Sequence, residues 1–357
     1  MTRFQMPLPL IASCIIAAAA AAAVTGTPTP FPSLTWSLLP TNSTAQFRGL
    51  AAVSDSVAWV AGTSGTVLLT TDGGQSWASL GPTGASALEF RDIEASSASA
   101  AAALSVGSGP DSRIYATADG GLSWTRAFNN DDPAAFYDCA AFSDAVQGLA
   151  VSDPVDGKFR LVATSDGGAS WAPVDNSGMP AALDGEFGFA ASGTCLTAGP
   201  GGGGAYYLAT GGVDPGRVFR SRDGGRSWEV AETPIAGGAA AGVFSVQFRD
   251  GRRGIAVGGD YTVPNGTAAN AAWSEDGGKT WQLATALPSG YRSGSSWVPG
   301  RCNVALAVGP TGSDITVDGG RTWRTFDDGT FDSVQCPSRN VCWASGEKGR
   351  VARLVLD

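Results

Sequence analysis

Short apolar runs, broken by Gly, Asp and Ser, recur along most of the chain. The stretches RGLAAVS (48–54), VAWVAG (57–62) and TVLLTT (66–71) are followed by Asp72-Gly73-Gly74 and then by SWASL (76–80). Apolar runs of this length between turn residues predict β-strands rather than helices. Asp-Gly and Gly-Gly are strong hairpin signals, because the turn needs positive φ and glycine adopts it without a steric penalty. The Asp carboxylate is expected to accept backbone N–H groups across that turn. The Trp that follows is a large apolar plug suited to the space between neighbouring sheets. One unit therefore predicts four short antiparallel strands.

The unit repeats. TTDGGQSW (70–77) returns as TADGGLSW (117–124), TSDGGASW (164–171), SRDGGRSW (221–228), SEDGGKTW (274–281) and TVDGGRTW (316–323). The aspartates are Asp72, Asp119, Asp166, Asp223, Asp276 and Asp318, and the tryptophans Trp77, Trp124, Trp171, Trp228, Trp281 and Trp323. That period suits a propeller blade of four strands. The last unit, FDSVQCPSRNVCWASGEKGRVARLVLD, supplies three strands and then stops. The missing fourth strand is found at the other end, in SLTWSLLP (33–40), where Thr35-Trp36 matches the phrase that closes every other copy. The expected fold is all-β: a seven-bladed β-propeller over residues 33–357, closed by N- and C-terminal strands sharing the last blade. Such closure removes exposed sheet edges.

Composition narrows the chemistry. The chain has 357 residues, 50 of them Gly, only 15% charged residues and a net charge of -9. Many tight turns fit that glycine content, and an acidic chain without a Lys/Arg run is a poor partner for nucleic acid or an anionic membrane. There is no histidine. That excludes a Ser-His-Asp triad, a Cys-His pair, a His base and His-ligated zinc. With no dinucleotide fingerprint, CxxC or haem-attachment motif, no cofactor and no metal are expected. Residues 1–26 combine Arg3 with an apolar run and small residues, and read as a secretory signal peptide. Residues 27–32 (TPTPFP) are a Pro-rich lead-in. The mature chain is expected to be secreted, not inserted in a membrane, and monomeric. Cys336 and Cys342, six apart on one hairpin, suit a disulfide in an oxidising compartment. Cys139, Cys195 and Cys302 show no pairing in sequence and read as buried structural thiols.

The repeated phrase matches the Asp box, or BNR repeat, S/T-x-D-x-G-x-S/T-W. The whole mature chain resembles the photosystem II stability/assembly factor family and its bacterial and fungal relatives; GTVLLTTDGGQSW (65–77) is close to that family's wording. The resemblance implies a non-enzymatic binding propeller. Sialidases, which hold substrate with three arginines and a Tyr/Glu pair, are a second Asp-box family, and xyloglucanase-type enzymes, built from two propellers, a third. The Asp-box residues themselves are engaged in turns and recur too evenly to form one site.

A meander puts those turns at one end, the bottom, and the starts of the innermost strands at the other. The starts read Phe47-Arg48, Arg91-Asp92, Tyr137-Asp138, Glu186-Phe187, Phe244-Ser245, Tyr291-Arg292 and Phe331-Asp332. Arg48, Arg91, Tyr137 and Arg292 are thus expected to ring the top of the channel. Two long segments, 199–217 and 258–272, read as second-to-third loops on the same face, with Tyr206, Tyr207 and Tyr261 as aromatic contact surface. The expected ligand is a protein or glycan partner. The alternative is an exo-acting, sialidase-like glycoside hydrolase, with Asp92, Asp138, Glu186 or Asp332 as acid and base, and Tyr137 or Tyr291 beside Glu186 as the Tyr/Glu pair.

Overall fold

The structure, a computed structural model, describes residues 34–356. The signal peptide and the Pro-rich lead-in expected from sequence lie outside the described residues. The chain forms seven four-stranded antiparallel sheets. Blade 1 shows the pattern: Phe47–Ala52, Ala58–Gly62, Val67–Thr70 and Ala78–Ser79, hydrogen-bonded in that order. Blade 7 is shared between the termini. Ser37–Leu39 pairs with Val351–Val355, in the register Ser37↔Arg353, Leu38↔Ala352 and Leu39↔Val351.

The core is divided among the gaps between blades. Seven apolar clusters each join two consecutive blades, and each receives one Trp from the start of a fourth strand. Trp124 packs back onto blade 1, Trp228 onto blade 3 and Trp281 onto blade 4. Trp36 does the same in the closing blade. It lies 5.2 Å from the Phe331 ring, and its Nε1–H donates to Ser313 Oγ of blade 6 (2.9 Å). The N-terminal strand is therefore held by packing against blade 6 as well as by its ladder.

Six turns share one hydrogen-bond pattern. In the first, Thr70 Oγ1 donates to Asp72 Oδ1 (2.8 Å) and accepts from the Gly74 N–H (2.9 Å). Asp72 in turn accepts from the Ser76 N–H (3.0 Å) and hydroxyl (2.5 Å). These bonds, the Ser76 hydroxyl foremost, hold the Asp72 carboxyl down at about 2. Gly73 and Gly74 adopt φ of 77° and 87°, the left-handed region that the turn requires.

Two disulfides are present. Cys336–Cys342 closes the hairpin in blade 7. The second corrects the sequence reading: Cys139 and Cys195 are bridged (Cα–Cα 6.1 Å), joining the first strand of blade 3 to the segment that leads into blade 4. Fifty-six residues separate them, so only the packing of blade 4 against blade 3 reveals the pairing. The described residues contain no free cysteine, Cys302 included.

Candidate functional site

The first strands line the central channel, and four of them carry a β-bulge at the top. The register shifts between Phe47 and Gly49, Phe90 and Asp92, Tyr137 and Cys139, and Val243 and Ser245. A bulge re-aims the extra residue, here Arg48, Arg91, Asp138 and Phe244. All four line one cavity of about 570 Å³, to which every blade contributes.

The cup has two halves of different chemistry. Blades 4 to 6 supply aromatic rings. Phe189 stacks on Phe244 at 3.7 Å, and Phe244 meets Tyr291 edge-on at 4.6 Å. Tyr261, 52% exposed, stands on the rim 6.3 Å from Phe244. Blades 7, 1, 2 and 3 supply charge. Glu89 receives Arg91 through two bonds (Nε 2.9 Å, Nη2 3.0 Å) and Arg48 through a longer one (3.4 Å). Asp332 accepts from Gln46 Nε2 (2.9 Å). Burial raises its carboxyl above the usual range, against the pull of Gln46 and Arg48.

Blade 3 contributes a carboxyl pair. Asp138 is buried, and no N–H or O–H group reaches its Oδ2. Its hydrogen-bond neighbour is the Asp153 carboxyl, a contact that favours one proton held between the two. Burial, reinforced by the Asp153 charge, pushes Asp138 well up, and burial raises Asp153 to about 6. The Gly188 N–H donates to Asp153 Oδ1 (2.9 Å). A Cβ at Gly188 would stand 3.1 Å from Asp138 Oδ2, so a side chain there would press the pair out of place by a few tenths of an ångström.

Several residues expected at the mouth are elsewhere. Arg292 is fully buried and pairs with the equally buried Asp314 (Nε–Oδ2 2.6 Å). Register explains the difference. The Arg292 N–H donates to Gly258 O of the second strand in blade 5, as those of Phe47, Val243 and Phe331 do to Gly346 O, Thr210 O and Gly309 O of their preceding blades. Arg292 thus occupies a place that is apolar in those blades, one residue before the mouth position. Tyr137 fills the equivalent apolar place in blade 3, packs on Phe128 at 5.1 Å, and lines a separate cavity of about 550 Å³. Burial pushes its hydroxyl up to about 12.

Glu186 is buried and held by Arg217, by the Thr210 hydroxyl (2.6 Å) and by the Leu183 N–H (2.9 Å). Asp92 follows a bulge and lies one step down the channel, where it accepts from the Ala140 N–H (2.6 Å); burial raises it to about 7. Tyr206 and Tyr207 belong to the second strand of blade 4, Tyr206–Ala209, and not to a loop. Pointing to opposite faces of that strand, Tyr206 joins the blade 3 cluster, and Tyr207 stacks on Phe248 of blade 5 at 3.7 Å. Residues 199–205 are consequently a first-to-second connection at the bottom. The first strand of blade 4 begins at Leu196, not at Glu186-Phe187. The irregular stretch before it carries Phe187, Gly188 and Phe189 into the cup.

Of the residues expected to bind, Arg48, Arg91 and Tyr261 line the cup; of the four candidate acids, Asp138 and Asp332 do. Sequence reasoning missed Asp153 and Phe189 and did not count Phe244 as a contact. One signal was available for Phe244: an apolar residue, then the mouth residue, then a small one, as in Phe47-Arg48-Gly49 and Val243-Phe244-Ser245.

No family model and no curated protein matches the chain. Solved structures do. One described as YCF48 bound to D1 peptide is 17% identical with a TM-score of 0.62, over 92% of this chain and 99% of that one. YCF48 from Cyanidioschyzon merolae is 13% identical with a TM-score of 0.58, over 90% and 98%. The RRP9 WD40 repeats are 12% identical with a TM-score of 0.64, over 90% and 97%. At such identities the likeness is one of fold, and this chain shares the propeller architecture of all three.

Proposed function

We propose that this chain is a secreted, non-catalytic propeller that binds a segment of a partner protein in the cup at its top face. The observation that carries the reading is the cup itself: a cavity fed by all seven blades, with an aromatic wall facing a charged one. Large rigid rings beside a few oriented polar groups are what a binding pocket needs. The structure of like fold described as holding a D1 peptide supports a peptide over a glycan as the ligand class. Export is supported by the disulfides, which persist in oxidising compartments. The glycosidase alternative keeps fewer of its candidates. Of its four candidate acids, Glu186 is tied to Arg217 and Asp92 to the Ala140 N–H, which leaves Asp138 and Asp332 at the cup.

The test is a panel of peptides and glycans presented to the full exported chain, beside Tyr261→Ala and Arg48→Ala. Selected peptides should bind the parent and lose at least tenfold affinity with Tyr261→Ala, at unchanged melting temperature. Binding indifferent to both variants would move the site away from the cup. Turnover of a fluorogenic glycoside, abolished by Asp332→Asn, would overturn the non-catalytic reading.

A further inference from the structure

The cup also has a charge preference. Its two lining arginines, Arg48 and Arg91, are already engaged by Glu89. Asp138, Asp153, Asp332 and Glu347 line it as well, and neither Asp138 nor Asp153 has an ion-pair partner among the described residues. Even with one proton shared between Asp138 and Asp153, carboxylates outnumber guanidinium groups. The local feature is the carboxyl pair itself: buried Asp138, whose Oδ2 has no N–H or hydroxyl donor, beside a half-buried Asp153 facing the cavity.

We propose that the cup takes a lysine-bearing protein segment, its ammonium group set against Asp138 and Asp153 and an adjacent apolar side chain laid on the Phe189–Phe244–Tyr291 wall. This rests on the reading of the cup as the binding site and specifies its ligand. Lysine fits better than arginine. An ammonium is a compact point charge with three donors, whereas a guanidinium fork needs both oxygens of one carboxylate, and Asp153 Oδ1 is occupied by Gly188. A metal ion fits poorly, since the described residues hold no group of three His, Cys, Asp or Glu that could ligate one. A free amine would leave most of the 570 Å³ and the aromatic wall unfilled.

The ammonium replaces the proton shared by the pair, and that proton passes to solvent. Binding therefore strengthens as pH rises. The charged group of another element that acts on the pair is Arg91 of blade 2, already held by Glu89. Arg48, Asp332 and Glu347 stand elsewhere around the cup.

Isothermal titration of the full chain tests this with N-acetylated, C-amidated peptides containing a Phe-Lys core. Norleucine or arginine replaces the lysine in two controls, and 1,5-diaminopentane serves as the free amine. The lysine peptide should bind at least tenfold tighter than the norleucine peptide, and severalfold tighter at pH 7.5 than at pH 5.5. Asp153→Asn, whose side-chain oxygen can still accept from Gly188, should erase the lysine preference and leave norleucine binding intact. Equal binding of lysine and norleucine peptides, both weakened by Tyr261→Ala, would overturn the lysine inference and keep the cup as the site. An arginine peptide or the diamine binding as tightly as the lysine peptide would also overturn it. Binding by none of the peptides would overturn both readings.

Discussion

Arg48 and Arg292 look alike in sequence, each beside an aromatic residue at the start of an innermost strand, yet the structure assigns them different energetics. Arg292 and Asp314 are both fully buried. Arg292 also donates to Tyr291 O (2.9 Å), Thr311 Oγ1 (3.1 Å) and Ser289 Oγ (2.7 Å). Arg292→Ala leaves Asp314 as a buried charge without its cation, a loss of about 3–5 kcal/mol. Arg48 and Glu89 are part-exposed, with side-chain exposures of 24% and 31% at 3.4 Å. Arg48→Ala should therefore cost no more than about 1 kcal/mol. For a chain of this length, unfolding entropy near the midpoint is roughly 0.7 kcal/mol per degree. The expected drops in melting temperature are then about 4–7 °C for Arg292→Ala and about 1 °C for Arg48→Ala. Differential scanning calorimetry reads both. The double change Arg292→Met/Asp314→Leu should recover a large part of the loss, because it removes both buried charges together. An Arg292→Ala protein that melts no lower than Arg48→Ala would refute the register argument that buries Arg292.

The disulfides should separate by loop length. Replacing Cys139 and Cys195 with Ala should cost about 4 kcal/mol and replacing Cys336 and Cys342 about 2 kcal/mol, from the chain entropy of closing loops of 56 and 6 residues; urea midpoints in the reverse order would contradict this. Trp36→Ala should cost about 3–5 kcal/mol by opening a cavity in the closing blade, far more than Leu38→Ala at its exposed neighbour; equal effects would mean that the terminal strand does not close the ring. Stability should also be greatest near pH 4. Asp92 and Asp153 are raised to about 7 and 6, so the folded state holds more protons than the unfolded chain above pH 4. Stability then falls as pH rises toward 7, by at most about 1.4 kcal/mol per pH unit for each proton. Asp72, Asp119 and Asp166 are lowered to about 2, so their stabilisation is lost as pH drops from 3.8 through 2. Melting temperatures that climb steadily from pH 4 to 7, or an Asp92→Asn protein with an unchanged slope, would refute the assignment.

The sequence by itself determined the architecture. Turn chemistry is local, so each Asp-Gly-Gly phrase declares its own hairpin, and the repeat of that phrase with its Trp counts the blades. Even the closure between distant termini was legible, because Trp36 carries the same local signature as the other six tryptophans. That Arg48, Arg91 and Tyr261 face the cup was legible for the same reason, since they lie where the repeat places a strand start or a loop. What the tertiary structure decided depends on single-residue register and on contacts between blades. A bulge turns Asp138 into the cup and leaves Tyr137 between blades, while Arg292 falls one residue short of the mouth. A shift of one residue reverses the side of a strand on which a side chain lies, and periodicity does not reveal it. The Cys139–Cys195 bridge and the Gly188 N–H on Asp153 likewise exist only once blade 4 packs on blade 3, and the Asp138–Asp153 pair depends on the bulged register within blade 3.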